Sequence, residues 1–142
     1  MTHPPAFAAY VARCAKPDYT GLLVCRSEDD AIVGCVNLSQ IVRGGFQSAY
    51  MGYQVFSPYE SQGYMTAAMP LVLRYVFRSL KLHRVEANIQ PGNLHSIALV
   101  KRAGFRLEGY SPRYLKVAGR WRDHERWAIV AEEWRIGRTA RT

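Results

Sequence analysis

Apolar and polar positions alternate in three early stretches: YTGLLVCRS (19–27), AIVGCVNLSQI (31–41) and FQSAYMGYQVF (46–56). A period of two marks strands with one buried face. The turn EDD (28–30) joins the first two as a hairpin, and Gly44-Gly45 breaks the chain before the third. Ahead of them, Phe7, Tyr10, Val11 and Cys14 fall at helical spacing and predict a short amphipathic helix over Pro5–Ala15. After them, Ala68, Leu71, Val72, Tyr75, Val76 and Leu80 recur at three and four, which predicts a helix from Tyr64 to Lys81 with a core-facing stripe. Pro70 lies within its first two turns, where a missing N–H costs least. HRVEANIQ (83–90) then reads as a strand with Val85, Ala87 and Ile89 on one side. A turn follows, then a helix capped by Asn93 and closed by Gly104. Two last strands, FRLEGYSPRYLKV (105–117) and RWRDHERWAIVA (120–131), meet at a tight turn. The order is helix, three antiparallel strands, helix, strand, helix, two strands, an α+β layout on one mixed central sheet flanked by helices.

The chain has 142 residues, the size of one domain, read here as a single unit over 1–142. Hydrophobic residues make up 49% and charged residues 21%, an ordinary globular mixture. No uncharged apolar run approaches the roughly 20 residues that a bilayer span needs. MTHPPAFAAYVARC lacks the basic-then-apolar pattern of a secretory signal. Cys14, Cys25 and Cys35 form no C-x-x-C pair and read as reduced thiols, so a cytoplasmic protein is expected. The net charge of +8 suits a polyanionic partner such as nucleic acid, a ribosome or a phosphorylated cofactor, or serves solubility alone.

SPYESQGYMTAAM (57–69) changes that picture. It narrows to a lone Gly63 at the mouth of the long helix, where the N–H groups of Gln62 to Thr66 lack intrahelical acceptors. Such an end attracts phosphate, and glycine lets a ligand come close to the backbone. An ordinary loop entering a helix is the plainer alternative. No G-x-G-x-x-G or Walker loop is present.

From Met51 to Trp134 the chain resembles the GNAT superfamily of acetyl-CoA-dependent N-acetyltransferases, and within it the RimJ/RimL-type enzymes that act on ribosomal-protein N-termini. The superfamily loop pattern Q/R-x-x-G-x-G/A falls on Glu60, Ser61, Gln62, Gly63, Tyr64 and Met65. NLHSIALVKRAGF matches N-x-x-S-x-x-x-x-K/R-x-G-F, and LHRVEANIQPGN with EGYSPRYLKVAGRWRDH matches the RimJ branch, including G-x-W-x-D-H.

The resemblance implies a strand parted from its neighbour, with the pantetheine arm pairing to backbone at Gln54, Val55 and Phe56. The pyrophosphate would rest on Gln62, Gly63, Tyr64, Met65 and Thr66. Asn93 would help hold the cofactor arm, and Arg102, with Lys101 beside it, would meet phosphate at the nucleotide end or stand as a solvated helix charge. A free amine would attack the thioester, with the Val55 N–H stabilising the oxyanion and Ser96 donating to the leaving sulfur. An α-amino group has a pKa of about 7.7–8.0, which lowers the demand for a base. Glu86 and Glu108 are candidates acting through water, each with an alternative as a surface carboxylate paired to an arginine.

Several positions depart from the pattern. Glu60 replaces Gln or Arg, so a carboxylate would oppose pyrophosphate unless turned away. Met65 replaces a small residue, Leu115 replaces the RimL-type catalytic glutamate, and Val100 replaces the acid tyrosine of RimI-type enzymes. An N-terminal strand and helix of the family are expected to be missing, which would bare a sheet edge and favour a homodimer.

His83, His95 and His124 show no zinc spacing. GRWRDHERW mixes arginine with tryptophan and suits either base stacking or packing within the fold. The reading is acetyl transfer from acetyl-CoA to a protein N-terminus, with a ribosomal protein as acceptor, no membrane and only incidental nucleic acid. The alternatives are acetylation of a small amine or amino acid, and a non-catalytic acetyl-CoA-binding or RNA-associated module.

Overall fold

The computed structural model describes residues 14–16 and 18–141. The early alternating stretches are strands β2 (Tyr19–Cys25), β3 (Ile32–Val42) and β4 (Ser48–Val55), preceded by a short β1 (Cys14–Lys16). Helix α1 (Tyr64–Arg74) continues into a π-helical turn, Tyr75–Ser79, and leads to β5 (Arg84–Ile89). Helix α2 (Leu94–Ala103), the hairpin β6 (Arg106–Val117) and β7 (Arg120–Val130), and helix α3 (Ala131–Arg141) complete the chain. All seven strands form one sheet in the order β1-β2-β3-β4-β5-β7-β6. Every pairing is antiparallel except β4 with β5, so the sheet is mixed as the pattern predicts.

The helix expected over Pro5–Ala15 lies outside the described residues apart from Cys14 and Ala15, which belong to β1 instead. Cys14 pairs with Gly21 and Ala15 with Thr20, so backbone groups on the outer side of β2 from Tyr19 to Gly21 are met by a strand. A second difference is α3. Its sequence is strongly polar overall, yet Trp134 packs on Phe77 with ring centroids 5.2 Å apart, and Arg78 lies over the same indole.

The core lies between the sheet and helices α1 and α2. Val36, Leu38, Met51, Val85 and Ala87 meet Ala68, Met69, Val76 and Val100, all nearly sealed from solvent. Of the predicted stripe, Ala68, Val72 and Val76 are buried and Leu71 is 40% exposed; Met65, Met69 and Leu73 widen the buried face on the other side. The opposite sheet face carries Tyr19, Asn37, Tyr50, Glu86 and His124, a polar set with Tyr19 donating to Asn37 at 2.7 Å. Among the described residues no helix is long and apolar enough to cross a membrane.

Candidate active site

Strands β4 and β5 pair over three rungs only, from Ser48 with Arg84 to Tyr50 with Glu86. Beyond Tyr50, β4 keeps its bonds to β3 but pairs with no strand on its other side among the described residues. The Phe56 N–H donates to the Val33 carbonyl at 2.8 Å. Backbone direction alternates along a strand, so the Val55 N–H turns away from β3 and into the gap. Gly34, opposite Val55, holds this edge close: a Cβ there would stand 2.5 Å from the Gln54 carbonyl oxygen and 3.4 Å from Met65 Cε. On β5, two residues past the last rung, Asn88 Oδ1 is buried without a hydrogen-bond partner.

The gap opens into a cavity of about 270 Å³ whose lining includes Tyr53, Gln54, Val55, Tyr59, the loop from Glu60 to Thr66, and His95, Ser96 and Leu99. Ser61 (φ 59°) and Gly63 (φ 82°) both take left-handed backbone. Such turns bring successive N–H groups to one concave side. Gly63 is the N-cap of α1 and no side chain caps that end, so its first N–H groups face the cavity unmatched. A Cβ at Gly63 would meet nothing within 4 Å; the space in front of this backbone is open. Glu60, which departs from the loop pattern, has its carboxylate turned to the Ser57 hydroxyl at 2.8 Å. The Gln62 side chain donates to the Pro58 carbonyl, and the Met65 side chain is buried in the core, so these residues offer the cavity mainly backbone.

The loop is braced from outside the predicted motif. Arg26 donates to the Tyr64 hydroxyl at 3.2 Å and lies over the Tyr59 ring, which meets Tyr64 edge-on. Asp29 holds the other side of that guanidinium through two hydrogen bonds, at 2.7 and 3.0 Å. The Arg26 hydrogen bonds, first among several causes, keep the Asp29 carboxyl at about 2.

On the opposite wall, Asn93 caps α2 by accepting from the Ser96 N–H at 3.2 Å. It fixes the turn that carries Ser96 but does not line the cavity, a different place from the cofactor arm expected of it. Tyr53, which the motif reading passed over, donates from its hydroxyl to the Ser96 carbonyl at 3.3 Å and so ties β4 to α2. Burial raises the Tyr53 pKa, which keeps that hydroxyl protonated as a donor. Its signal in the sequence was the alternation that puts Tyr53 on the face of Val55.

With this geometry in place, the comparisons are direct. The acetyltransferase (GNAT) domain model matches residues 3–106. The chain belongs to the GNAT acetyltransferase family. It is 39% identical over 121 residues to the "Probable N-acetyltransferase YjcK" of Bacillus subtilis, covering 85% of this chain and 67% of that one. It is 38% identical over 111 residues to the "[Ribosomal protein uS5]-alanine N-acetyltransferase" of Escherichia coli, covering 78% and 57% respectively. Among solved structures, Mycobacterium smegmatis RimJ in complex with CoA-disulfide superposes with a TM-score of 0.77 at 38% identity, over 82% of this chain and 55% of that chain. The chain thus spans little more than half the length of the two ribosomal-type relatives. Acetyl-CoA is the donor in this family, and the uncapped, glycine-fronted loop fits its pyrophosphate.

Other residues singled out from the GNAT pattern fall elsewhere. Phe56 has its N–H bonded to β3 and does not line the cavity, so Gln54 and Val55 alone of the expected three do so. Arg102 lines a second cavity of about 480 Å³ between α1, α2 and Trp134, which adjoins the first through Thr66 and Leu99. Val100 is fully buried. Glu86 is buried rather than at the surface, with Arg84 at 2.8 Å, and Glu108 bonds the same guanidinium. Burial alone would lower the Arg84 pKa, but the two carboxylates hold it above its ordinary value. Both candidate bases are therefore tied into an ion-pair cluster at the closed end of the β4–β5 seam.

Proposed function

We propose that this chain transfers an acetyl group from acetyl-CoA to the α-amino group of a polypeptide, with a ribosomal protein as the acceptor suggested by the printed name of the Escherichia coli relative. The observation that carries the reading is one cavity bounded by three things at once: the open edge of β4, the bare N-terminus of α1, and the α2 turn bearing Ser96.

Acetyl-CoA supplies an activated thioester. The amides of Gly63, Tyr64, Met65 and Thr66 hold its pyrophosphate with the positive end of α1 behind them, and Arg102 meets the nucleotide end across the adjoining cavity. Gln54 and Val55 align the pantetheine arm as a surrogate strand. The Val55 N–H donates to the thioester oxygen as charge grows there. Ser96 gives a proton, or a hydrogen bond, to the sulfur as the C–S bond breaks and the N–C bond forms. With Glu86 and Glu108 engaged by Arg84, the amine loses its own proton to water, which its pKa of about 7.7–8.0 permits.

Thiol release with acetyl-CoA and peptides beginning with Ala or Ser tests this. Peptide-dependent release is expected, and Ser96→Ala should lower kcat by roughly 10²-fold if the group acts as general acid, with acetyl-CoA affinity within twofold of the wild type. Acetyl-CoA binding without release to any peptide would sink the reading.

A further inference from the structure

A third concave surface lies one helical turn from Ser96. It is a polar groove of about 580 Å³ between the tip of the β6–β7 hairpin (Trp121, Arg122, Asp123) and the β5–α2 turn (Gln90 to Asn93). Asn93 belongs to its lining, and Ser96, whose N–H Asn93 accepts, belongs to the cavity of the thioester. The groove therefore begins where a polypeptide would leave the reaction centre. An extended chain advances about 3.3–3.6 Å per residue, so the first few residues behind the amine suffice to enter it.

Among the described residues, the groove offers one exposed cation without a partner. Arg122 is exposed and forms no ion pair or side-chain hydrogen bond among the described residues. Its backbone is fixed, because its carbonyl accepts from Nδ1 of the buried His124 at 2.9 Å. The one carboxylate in the lining, Asp123, is already occupied: Tyr110 donates to it at 2.7 Å and the Arg113 N–H at 2.9 Å. Trp121 is 61% exposed, with no core contact to explain so large an aromatic surface at a hairpin tip. Indole and guanidinium together are the side chains most often found anchoring a peptide partner.

We propose that this groove holds the polypeptide segment behind the acceptor amine, and that Arg122 selects acceptors with an acidic side chain in their first few residues. The inference rests on the acetyltransferase reading and names the substrate class of that site. A polyphosphate such as RNA fits less well, since Arg122 is the one cation among the described residues of the lining and can meet a single Glu or Asp side chain but not a run of phosphates.

The test is kcat/KM by thiol release for Ala-initiated peptides in which one Glu, Gln or Lys is moved from the second to the sixth position, at low and high salt. At the favoured position Glu is expected to exceed Lys by about fivefold or more, the scale of an exposed charge pair and its like-charge counterpart, and salt should shrink the gap. Arg122→Gln should erase the preference, and Arg122→Glu should reverse it in favour of Lys, a gain that a misfolded variant cannot show. Equal turnover of all three peptides by the wild type, or an acid preference that survives Arg122→Glu, would overturn the proposal while leaving acetyl transfer intact. Charge-blind turnover with salt-sensitive binding of an RNA oligonucleotide, lost in Arg122→Glu, would reassign the groove to nucleic acid. Failure of every peptide, with acetyl-CoA still bound, would remove the acetyltransferase reading and this inference together.

Discussion

The wall of the acetyl-CoA cavity at α1 and the wall of the neighbouring groove at the β6–β7 hairpin are made in opposite ways. The wall at the start of α1 is backbone: Ser61 and Gly63 in left-handed conformation, uncapped N–H groups, and the side chains of Tyr64 and Met65 buried as anchors. The wall at the β6–β7 hairpin is side chain: an edge strand, β6, exposed along most of its length, and beside it near the start of β7 an open tryptophan and an arginine without an ion pair among the described residues. On the proposed reading, backbone donors take what every ligand of the family shares, a pyrophosphate. Exposed side chains recognise what differs, the acceptor. Substitutions on the first wall should therefore act on acetyl-CoA whatever the acceptor, and substitutions on the second should act on one acceptor against another.

The sharpest break in that comparison is Gly63→Val. A branched residue at φ 82° strains the loop, and its side chain enters the open space before the amides. Losing even one charge-assisted hydrogen bond should weaken acetyl-CoA binding roughly 10- to 100-fold by calorimetry, equally with any peptide present. Affinity within twofold of the wild type would mean that the backbone is not the grip. Gly34→Ala is next. Its Cβ would lie 2.5 Å from the Gln54 carbonyl, and neither strand can yield without moving Val55. Overpacking of this kind costs about 1–3 kcal/mol, readable as a lower urea midpoint. Activity should fall further than stability, because the same displacement re-aims the Val55 N–H.

The first wall was legible in the sequence because conformation restricts residue choice there. A lone glycine ahead of an amphipathic run is a demand of the backbone itself, as is the asparagine three before a serine across the cavity on α2. Strand alternation gave β2 through β7 to within a few residues for the same reason. The parts that escaped depend on contacts far apart in the chain. Helix α3 is held by Trp134 against Phe77, a contact that no period within the helix announces. Cys14 and Ala15 looked helical, and the edge of β2 made them a strand. The bracing of the loop by Arg26 spans 38 positions to Tyr64. Glu86 looked like a surface carboxylate on an alternating strand, and is buried on the strand face it shares with Arg84, with β4 paired on one side of β5 and β7 on the other. At the second wall, Trp121 and Arg122 were visible as residues, but their role depends on the turn Gln90–Asn93 standing opposite.

The smallest expected effect concerns that distant brace. Asp29→Asn removes the charge that holds Arg26 against Tyr64 and Tyr59, while the loop keeps its own backbone geometry. Asp29 is half exposed, so solvent and salt screen the pair, and the melting temperature should drop by no more than a few degrees. The pH dependence is more diagnostic than the size. The folded protein holds this carboxyl at about 2 against its ordinary 3.8, so the folded state binds its proton less readily. Its contribution is complete above about pH 4 and fades as pH falls toward 2. The difference in melting temperature between wild type and Asp29→Asn should accordingly be flat from neutral pH down to about 4 and close below it. Acetyl-CoA affinity at neutral pH should fall slightly, and equally with acidic and basic peptides, since the brace supports the backbone wall alone. A change in peptide preference instead would show that the two walls are not independent, and that Arg26 reaches the acceptor as well as the loop.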